Sequence, residues 1–407
     1  MKFFKIDLTK LSICILMVIF STVQVGAQGK EPVTGVWQLL PLKSTSGIMG
    51  KRFDLYRNIR APYLLESGYL IDGFENRPGV HPWQGEHIGK FIHTVVLDYL
   101  ITKDPKTKKE LDDLVKRLLA TQQEDGYMGT YTPNMTFMKL PENRVINNDI
   151  YDDVRMNSSG GVNPVYKWII LDEKSGWDVW TFRYNLHGLL FYENYFPNED
   201  VVTACRKMGD LLIGIYGPGK YNLTKYGSHK GISAAVLLES IVMLYERTGE
   251  KKYLDFAGHI VRCIEENPDL DLTNSIINDE DVVHPGQGKV YQLISTLLGY
   301  YRLYLVTHNE KYLDVVAEGW EIIKENHLTV AGGPWSRQMD YNGNCTECFA
   351  GYDAFYPGKM HVEGCSSMSW MQMSVALYEL TGDPKYIKEA EYNFYNESII
   401  HQGIDGV

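Results

Sequence analysis

The sequence predicts an all-α protein in which helical hairpins close into an (α/α) barrel. Two observations lead to this prediction. A unit of helix, short turn and second helix recurs along the 407-residue chain, and three copies carry the motif K-Y-[LI]-[DK] after the turn. No run of alternating apolar and polar residues competes with the helical pattern. Helical repeats of this kind bury a shared core only by stacking on one another.

The first half of the chain contains three predicted helices separated by clear breaks. Residues 28–53 are expected to be loop-like. Helical spacing runs from Arg57 to Phe74 and stops at the breaker E-N-R-P-G, and further helices are predicted over Trp83–Leu100 and Lys109–Gln122. The stretch 139–177 has little periodicity, which predicts a long surface loop beside a cleft.

The second half contains the three clearest copies of the hairpin. Their first helices are predicted near Ile232, Tyr291 and Trp370, and their turns read T-G-E, T-H-N and T-G-D. The copies are unequally spaced, whereas solenoid repeats have even lengths, so a closed barrel is favoured over an open solenoid. The inserts 126–180 and 327–369 are expected to gather on one face and shape a pocket.

The N-terminus has the pattern of a signal peptide over residues 1–27. Lys2 and Lys5 give a positive start, Leu11–Phe20 is apolar, and Val25–Ala27 is a small-residue cleavage site. The apolar run is too short for a stable membrane span, so no membrane anchor is expected. We therefore predict a secreted or periplasmic protein whose mature domain is residues 28–407.

Charge and composition limit which kinds of partner the mature protein is expected to bind. The net charge is -11, and removing three lysines and one aspartate with the signal peptide changes it to -13. Such an acidic chain is a poor candidate for nucleic acid or for an anionic membrane surface. Aromatic residues make up 12% of the chain, which suits a carbohydrate-facing cleft and equally a large helical core. The sequence predicts no oligomeric state.

The stretch 344–370 concentrates the residues that carry chemistry. A C-x-x-C motif and an E-x-C motif place three cysteines and two glutamates there: Cys345, Glu347, Cys348, Glu363 and Cys365. Sulfur and carboxylate ligands at this density suit zinc. A carboxylate beside a thiolate also suits acid-assisted covalent chemistry. The other mature cysteines, Cys205 and Cys263, lie on apolar helical faces and are predicted core residues.

The C-x-x-C motif is compatible with three chemical states. Cys345 and Cys348 could close a structural zinc site together with Glu363 and Cys365. They could instead form a disulfide in an oxidising compartment. Free thiols near the pocket are the third possibility.

A set of motifs in a fixed order resembles glycoside hydrolase family 127, which includes the β-L-arabinofuranosidases. The resemblance runs from about Trp83 to the C-terminus. The motifs that carry it are Gln122–Tyr127 (Q-Q-E-D-G-Y), Tyr184–His187 (Y-N-L-H), Gly332–Gly333, Thr346–Phe349 (T-E-C-F), Glu363–Cys365 (E-G-C) and Tyr395–Asn396.

The resemblance implies an (α/α)6 barrel, here incomplete at the C-terminus, and a retaining hydrolase with a zinc-bound cysteine nucleophile. By position, Glu347 matches the general acid/base, Glu363 and Cys365 match two zinc ligands, and His187 matches a histidine that lines the sugar pocket. The family's other two ligands, one of them the nucleophile, would lie beyond Val407. The 407-residue chain alone is therefore expected to be inactive.

Further residues are candidates for contacts with an oligosaccharide or glycan substrate. Glu86 and His284 lie at predicted element ends that could face the cleft. Tyr184 is a candidate platform for a sugar ring, and core packing is an equally plausible role for it. Two other functions stay open. One is a non-catalytic carbohydrate-binding relative, which a missing nucleophile would allow. The other is a different (α/α)-barrel enzyme, such as an unsaturated-uronyl hydrolase or a sugar epimerase, which would not need an E-x-C zinc pair.

Overall fold

The computed structural model describes residues 46–133, 136–137, 177–278, 280–337, 347–349 and 360–401. The signal peptide, Cys345 and most of the predicted loop 139–177 lie outside these residues. Where the structure describes the chain, it is mainly helical. No helix among the described residues has both the length and the apolar character that crossing a membrane requires.

The chain enters the barrel through a broken helical segment. Helix α1 (Gly47–Leu55) continues through a π-helical turn, Tyr56–Arg60, into α2 (Ala61–Glu66), and α3 (Tyr69–Glu75) follows. The prediction of a single helix from Arg57 to Phe74 is wrong, because Gly68 adopts a left-handed conformation at φ 71° that separates α2 from α3. The predicted loop over 28–53 is likewise wrong from Gly47 onwards, where α1 is helical.

Five helical hairpins follow within the described part of the chain. The first two hairpins are α4 (Glu86–Thr102) with α5 (Pro105–Ala120) and α6 (Asp178–Tyr195) with α7 (Glu199–Tyr216). After the short α8 (Ile232–Ala235), α9 (Leu237–Thr248) pairs with α10 (Lys251–Glu265), and after the short α11 (Leu272–Ile277), α12 (Val290–Thr307) pairs with α13 (Glu310–Asn326). The fifth hairpin is α14 (Gly364–Thr381) with α15 (Pro384–Asn396). Short 3-10 turns cover Leu223–Tyr226, His229–Gly231, Pro285–Gly288 and Ser398–His401.

The first helix of each hairpin belongs to an inner layer. These helices pack side by side in the order α4, α6, α9, α12 and α14, and each second helix packs outside against its own partner. In the inner α6, every residue from Asp178 to Leu190 except His187 is buried. The outer α10 instead buries one apolar stripe that includes Tyr253, Phe256 and Ile260. The predicted (α/α) barrel architecture is confirmed.

A recurring turn ends four of the inner helices. It consists of Thr102-Lys103-Asp104, Thr248-Gly249-Glu250, Thr307-His308-Asn309 and Thr381-Gly382-Asp383, and the middle residue has a positive φ each time. In the last copy, the Thr381 hydroxyl accepts the Asp383 N–H at 3.1 Å, and the Asp383 carboxylate accepts the Lys385 N–H at 2.9 Å. The turn satisfies backbone groups at both helix ends, so each inner helix reverses directly into its outer partner.

Two glycines bring α4 and α6 unusually close. A Cβ atom at Gly188 would lie 2.5 Å from the carbonyl oxygen of Gly89, and one at Gly89 would collide with the carbonyl oxygen of Tyr184. Only residues without side chains allow this backbone approach. It brings Lys90, on α4, against Tyr184, on α6.

The insert before α14 contains a small sheet that the all-α prediction does not include. Strand β1 (Ser336–Arg337) lies between β2 (Cys348–Phe349) and β3 (Met360–His361), and both pairings are antiparallel. Strands of two residues are too short to show an alternating sequence pattern. A bridge between Lys289 and Cys348 attaches β2 to the start of α12.

Candidate active site

The N-terminal turns of the inner helices meet at one end of the barrel, which we call the mouth. The inner helices run in the same direction, because each is followed by an antiparallel outer helix. The Trp180 indole of α6 donates its Nε1–H to Glu86 of α4, and the Tyr184 hydroxyl donates to Tyr291 of α12. Cys365, in the first turn of α14, interacts electrostatically with Glu86. The mouth thus joins residues that are far apart in the sequence.

Glu86 fixes a lysine in the wall of the mouth. The Lys90 ammonium lies 3.3 Å from Glu86 Oε1 and close to three aromatic rings, with centroid distances of 4.5 Å to Tyr184, 5.0 Å to Tyr291 and 5.8 Å to Trp180. Burial alone would lower the pKa of Lys90, but Glu86 and Tyr291 outweigh it and the pKa is raised. Lys90 therefore remains charged.

Tyr184 lies within the wall of the mouth. Its ring packs against the Lys90 ammonium and against the Arg183 guanidinium, which is 4.2 Å from the ring centroid. The side chain is buried, and burial raises the pKa of its hydroxyl well above the ordinary value. Tyr184 remains a candidate for substrate contact through its hydroxyl pair with Tyr291.

His187 lies one helical turn further from the mouth on α6. Its Nε2 is 3.2 Å from His93 Nδ1, and its Nδ1 is 3.7 Å from a carboxylate oxygen of Glu239, which also pairs with Arg183. Burial lowers the pKa of the His187 imidazole, although Glu239 opposes this effect. Both ring nitrogens therefore face protein groups.

Glu347 is held at the mouth by the start of α12. Its carbonyl oxygen accepts the Val290 N–H at 3.2 Å, and its carboxylate forms an ion pair with Lys289. Glu347 has a φ of 60°, which is rare for a residue with a side chain. The Lys289 side chain is only 3% exposed and that of Glu347 is 36% exposed, so the pair has a buried cation and an accessible carboxylate.

Glu363 and Cys365 lie at the first turn of α14. Glu363 is the N-cap residue in extended conformation, and its Oε2 accepts the Ser366 hydroxyl at 3.0 Å. Glu363 precedes the helix and Cys365 lies inside it, because α14 begins at Gly364. Burial raises the pKa of the Glu363 carboxyl, and the nearby Glu347 raises it further.

The donor chemistry of this pair fits a zinc ion. Burial raises the pKa of the Cys365 thiol, and the Glu363 carboxylate adds to this effect. Two half-buried acidic groups that each disfavour the charge of the other are stabilised when a divalent cation lies between them. No cluster of three or more His, Cys, Asp or Glu side chains suited to a metal occurs within the ranges given above. Glu363 and Cys365 are thus the two described residues that could hold such an ion.

The C-x-x-C motif is only partly described. Cys348 is 2% exposed in β2 and is disulfide-bonded, whereas Cys205, Cys263 and Cys365 are free thiols. The partner of Cys348 and the whole of Cys345 lie outside the described residues. A sulfur in a disulfide is not a thiolate ligand, so the alternative zinc site at Cys345 and Cys348 stays a prediction for the reduced protein.

The described contacts of His284 do not connect this residue to the mouth. Its side chain is exposed, and its carbonyl oxygen accepts the Gln287 N–H at 3.1 Å. The sequence suggested this histidine as a site residue only because it lies at the end of a predicted element. A different residue of the same insert, Lys289, reaches Glu347.

Several residues of the mouth were not identified by sequence reasoning. Lys90, Trp180, Lys289 and Tyr291 line it, and two histidines, His229 and His361, lie within electrostatic range of Lys289. Burial and then the Lys289 charge lower the pKa of His229 well below its usual value. Only Lys90 had a local signal, the Glu-Lys spacing of four residues on one helical face. The others are brought together by tertiary packing.

The arrangement brings together groups that acid-base chemistry requires. An accessible carboxylate, Glu347, and a half-buried carboxyl and thiol, Glu363 and Cys365, meet at the mouth. Aromatic and cationic side chains lie around them. Such a site can transfer protons to and from a bound ligand.

Comparisons with known proteins identify the family of this chain. The family model described as β-L-arabinofuranosidase, GH127 catalytic domain, matches residues 50–407. A non-reducing end β-L-arabinofuranosidase from Bifidobacterium longum subsp. longum is 19% identical over 346 residues, which are 80% of this chain and 47% of that protein.

Solved structures of the same family have the same fold. A GH127 β-L-arabinofuranosidase from Geobacillus stearothermophilus T6 aligns with a TM-score of 0.65 at 16% identity, over 89% of this chain and 57% of the other. A GH127 β-arabinofuranosidase aligns with a TM-score of 0.65 at 18% identity, over 93% of this chain and 55% of the other. The chain spans about half the length of these relatives. Because the family model covers most of its length, the chain belongs to the glycoside hydrolase family 127 catalytic-domain family.

Proposed function

We propose that the protein is an exported, retaining β-L-arabinofuranosidase in which Glu347 is the general acid/base and Glu363 and Cys365 hold a zinc ion. One observation carries the proposal: three residues predicted from their motifs are gathered by the fold at one end of the barrel. The family match over residues 50–407 supports a β-L-arabinofuranoside as the class of substrate.

The contacts of Glu347 suit an acid/base residue. Lys289 holds one carboxylate oxygen, and within the described residues the other oxygen has no partner. That free oxygen can deliver a proton to the leaving oxygen of the glycosidic bond and later take one from water. Lys289 thereby fixes the orientation of the carboxylate while one oxygen remains available.

Zinc would be held here by the Glu363 carboxylate and the Cys365 sulfur. When bound, zinc stabilises deprotonated sulfur ligands at neutral pH, which is the chemistry that a cysteine nucleophile requires. The protein residues orient this pair: Glu363 occupies the N-cap position of α14, and the Ser366 hydroxyl donates to its carboxylate. The two donors are thus oriented by the helix start itself.

Export is supported by the signal-peptide pattern and by the cysteine chemistry. Residues 1–27 have the charged, apolar and small-residue regions of a secretory signal. The disulfide at Cys348 is of a kind that persists in oxidising compartments. We therefore propose a secreted or periplasmic location.

The test is hydrolysis of an aryl β-L-arabinofuranoside by the full-length gene product and by its Glu347→Gln variant. We expect turnover by the parent protein and a loss of about 10²- to 10⁴-fold in kcat for the variant, since general acid-base catalysis contributes this much. Glu321→Gln is the matched control, because Glu321 is 37% exposed and also pairs with a lysine, Lys385.

Each result has a clear meaning. Equal turnover by the parent and Glu347→Gln would remove Glu347 from the mechanism. If the full-length protein binds the glycoside without hydrolysing it, the carbohydrate-binding alternative is favoured. Hydrolysis of uronides in place of arabinofuranosides would favour the unsaturated-uronyl hydrolase alternative.

A further inference from the structure

Lys90 is a partly buried cation that is held in place although some of its hydrogen-bond donors lack acceptors. Glu86 is its ion-pair partner at 3.3 Å, and the three rings contact the ammonium through their faces. A lysine ammonium has three N–H donors, and ring faces offer no lone pair. Within the described residues, therefore, N–H groups of Lys90 lack acceptors.

The exposure of Lys90 shows that these donors can act on a ligand. The side chain retains 30% of its surface open to solvent, and desolvation of the rest opposes its charge. Cys365, in the first turn of α14, lies within electrostatic range of the ammonium. The donors are thus partly accessible at the mouth, near the candidate metal pair.

The charges around Lys90 favour a neutral ligand. Lys90 pairs with Glu86, and Lys289 pairs with Glu347, so each cation of the mouth has a carboxylate partner. Glu363 is an additional carboxyl group. An anionic sugar would therefore meet no unpaired cation among the described residues, whereas the hydroxyl oxygens of a neutral sugar can accept from an ammonium already paired with a carboxylate.

We propose that Lys90 is a substrate-recognition residue that donates a hydrogen bond to a hydroxyl oxygen of a neutral sugar, with Glu86 and the three rings holding the ammonium in place. The proposal deepens the proposed function and rests on it for the location of the sugar. It also predicts that uronic acids are poor ligands.

The test measures sugar binding by the full-length protein without turnover. Calorimetry in a Glu347→Gln background uses a panel of methyl glycosides, with β-L-arabinofuranoside, other neutral pentosides and hexosides, and galacturonide. Adding Lys90→Met is expected to weaken binding of the neutral ligand by about 10- to 100-fold, because a hydrogen bond from a charged donor is lost. Lys108→Met should leave binding unchanged.

Lys108 is a matched control because its surroundings resemble those of Lys90 at another place in the barrel. Its ammonium lies 2.6 Å from Asp112 and 4.3 Å from the centroid of the Phe196 ring. Acetic anhydride labelling gives a second readout that a purely structural role would not change. Bound sugar should protect Lys90, and not Lys108, from acetylation, with zinc content equal in all variants.

The outcomes separate this proposal from the proposed function. Suppose that a neutral sugar other than arabinofuranoside binds and that Lys90→Met abolishes this binding. The arabinofuranosidase proposal then fails, and the Lys90 assignment stands. If arabinofuranoside binds equally well with Lys90→Met, the Lys90 assignment fails alone. Tight galacturonide binding, or the absence of any sugar binding, would overturn the assignment as well.

Discussion

Asp178 shows how one buried carboxyl links a loop to the helix that carries part of the site. It is the first residue of α6, and it accepts hydrogen bonds from the Tyr127 hydroxyl at 2.9 Å and from the Phe137 N–H at 3.2 Å. The side chain is almost fully buried, and burial raises its pKa to about 8 from an ordinary 3.8. The group that orders this end of α6 is therefore sensitive to pH.

Stability should fall as the pH rises because of Asp178. Between about pH 4 and pH 8 the folded state keeps a proton on this carboxyl and the unfolded chain does not, so folding binds one proton more. The free energy of unfolding then decreases by roughly 1 kcal/mol per pH unit across this window and levels off above it.

Urea unfolding of Asp178→Asn at a series of pH values checks this expectation. An amide does not titrate, so this part of the pH dependence should disappear in the variant. Asp113→Asn is the control, because Asp113 is exposed and pairs with Lys109 on the surface. An unchanged slope in Asp178→Asn would contradict the assignment.

Site residues differ in how far the sequence could predict them. Glu363 and Cys365 are two positions apart, so their proximity follows from the chain itself. Lys289 precedes its partner Glu347 by 58 residues, and the bridge between Lys289 and Cys348 that joins them forms only in the folded protein. Spacing therefore identified the candidate metal pair, and tertiary structure was needed to find the partner of the candidate acid/base.

At the scale of elements, the turn between an inner and an outer helix is the local structure that repeats most regularly along the chain. Its middle residue is glycine in two copies, lysine in one and histidine in one, always with φ between 52° and 68°. A side chain in this conformation costs roughly 1 kcal/mol, which glycine avoids. The threonine and acidic or amide residues that flank it explain why the turn was visible in the sequence.

Two glycine substitutions should have opposite effects on stability. Gly249→Ala places a side chain at φ 67° where no atom lies within 4 Å, so strain alone should destabilise the protein by about 1 kcal/mol. Gly214→Ala, inside α7 and also without near neighbours, should stabilise it by about 0.5–1 kcal/mol. Chemical denaturation measures both, and equal signs would contradict this reading of the turn.

Other elements could not be predicted because their causes are not periodic. The break at Gly68 depends on one left-handed residue inside an otherwise helical pattern. The start of α5 at Pro105 depends on the Asp104 cap, whose carboxylate accepts the Lys106 N–H at 3.0 Å. Apolar periodicity detects the middle of a helix and is insensitive to such ends.

For the molecule as a whole, the shared direction of the inner helices has an electrostatic effect. Each helix N-terminus carries a partial positive charge, and these termini converge on the mouth. Glu86, Glu363 and Cys365 all lie in or beside such first turns. The helix ends therefore favour anionic groups at this end of the barrel, although desolvation outweighs this effect at Glu363 and Cys365 and raises their pKa values.

Zinc removal should consequently destabilise the full-length protein. We expect about one zinc per chain by elemental analysis, and a chelator should lower the unfolding temperature by a few degrees through loss of bound ligand. Cys365→Ala should bind little zinc, and a chelator should no longer change its unfolding temperature. Cys263→Ala, at a buried cysteine on α10, should keep both its zinc content and its response to the chelator. Full zinc content in Cys365→Ala would exclude this cysteine as a ligand.

The glycine contact between α4 and α6 limits which substitutions the wall of the mouth can accept. Gly89 and Gly188 fix the spacing of two backbones, so a larger residue at either position would displace Lys90 from Tyr184. We therefore expect a change of ligand preference to arise at other positions around the mouth, with both glycines retained.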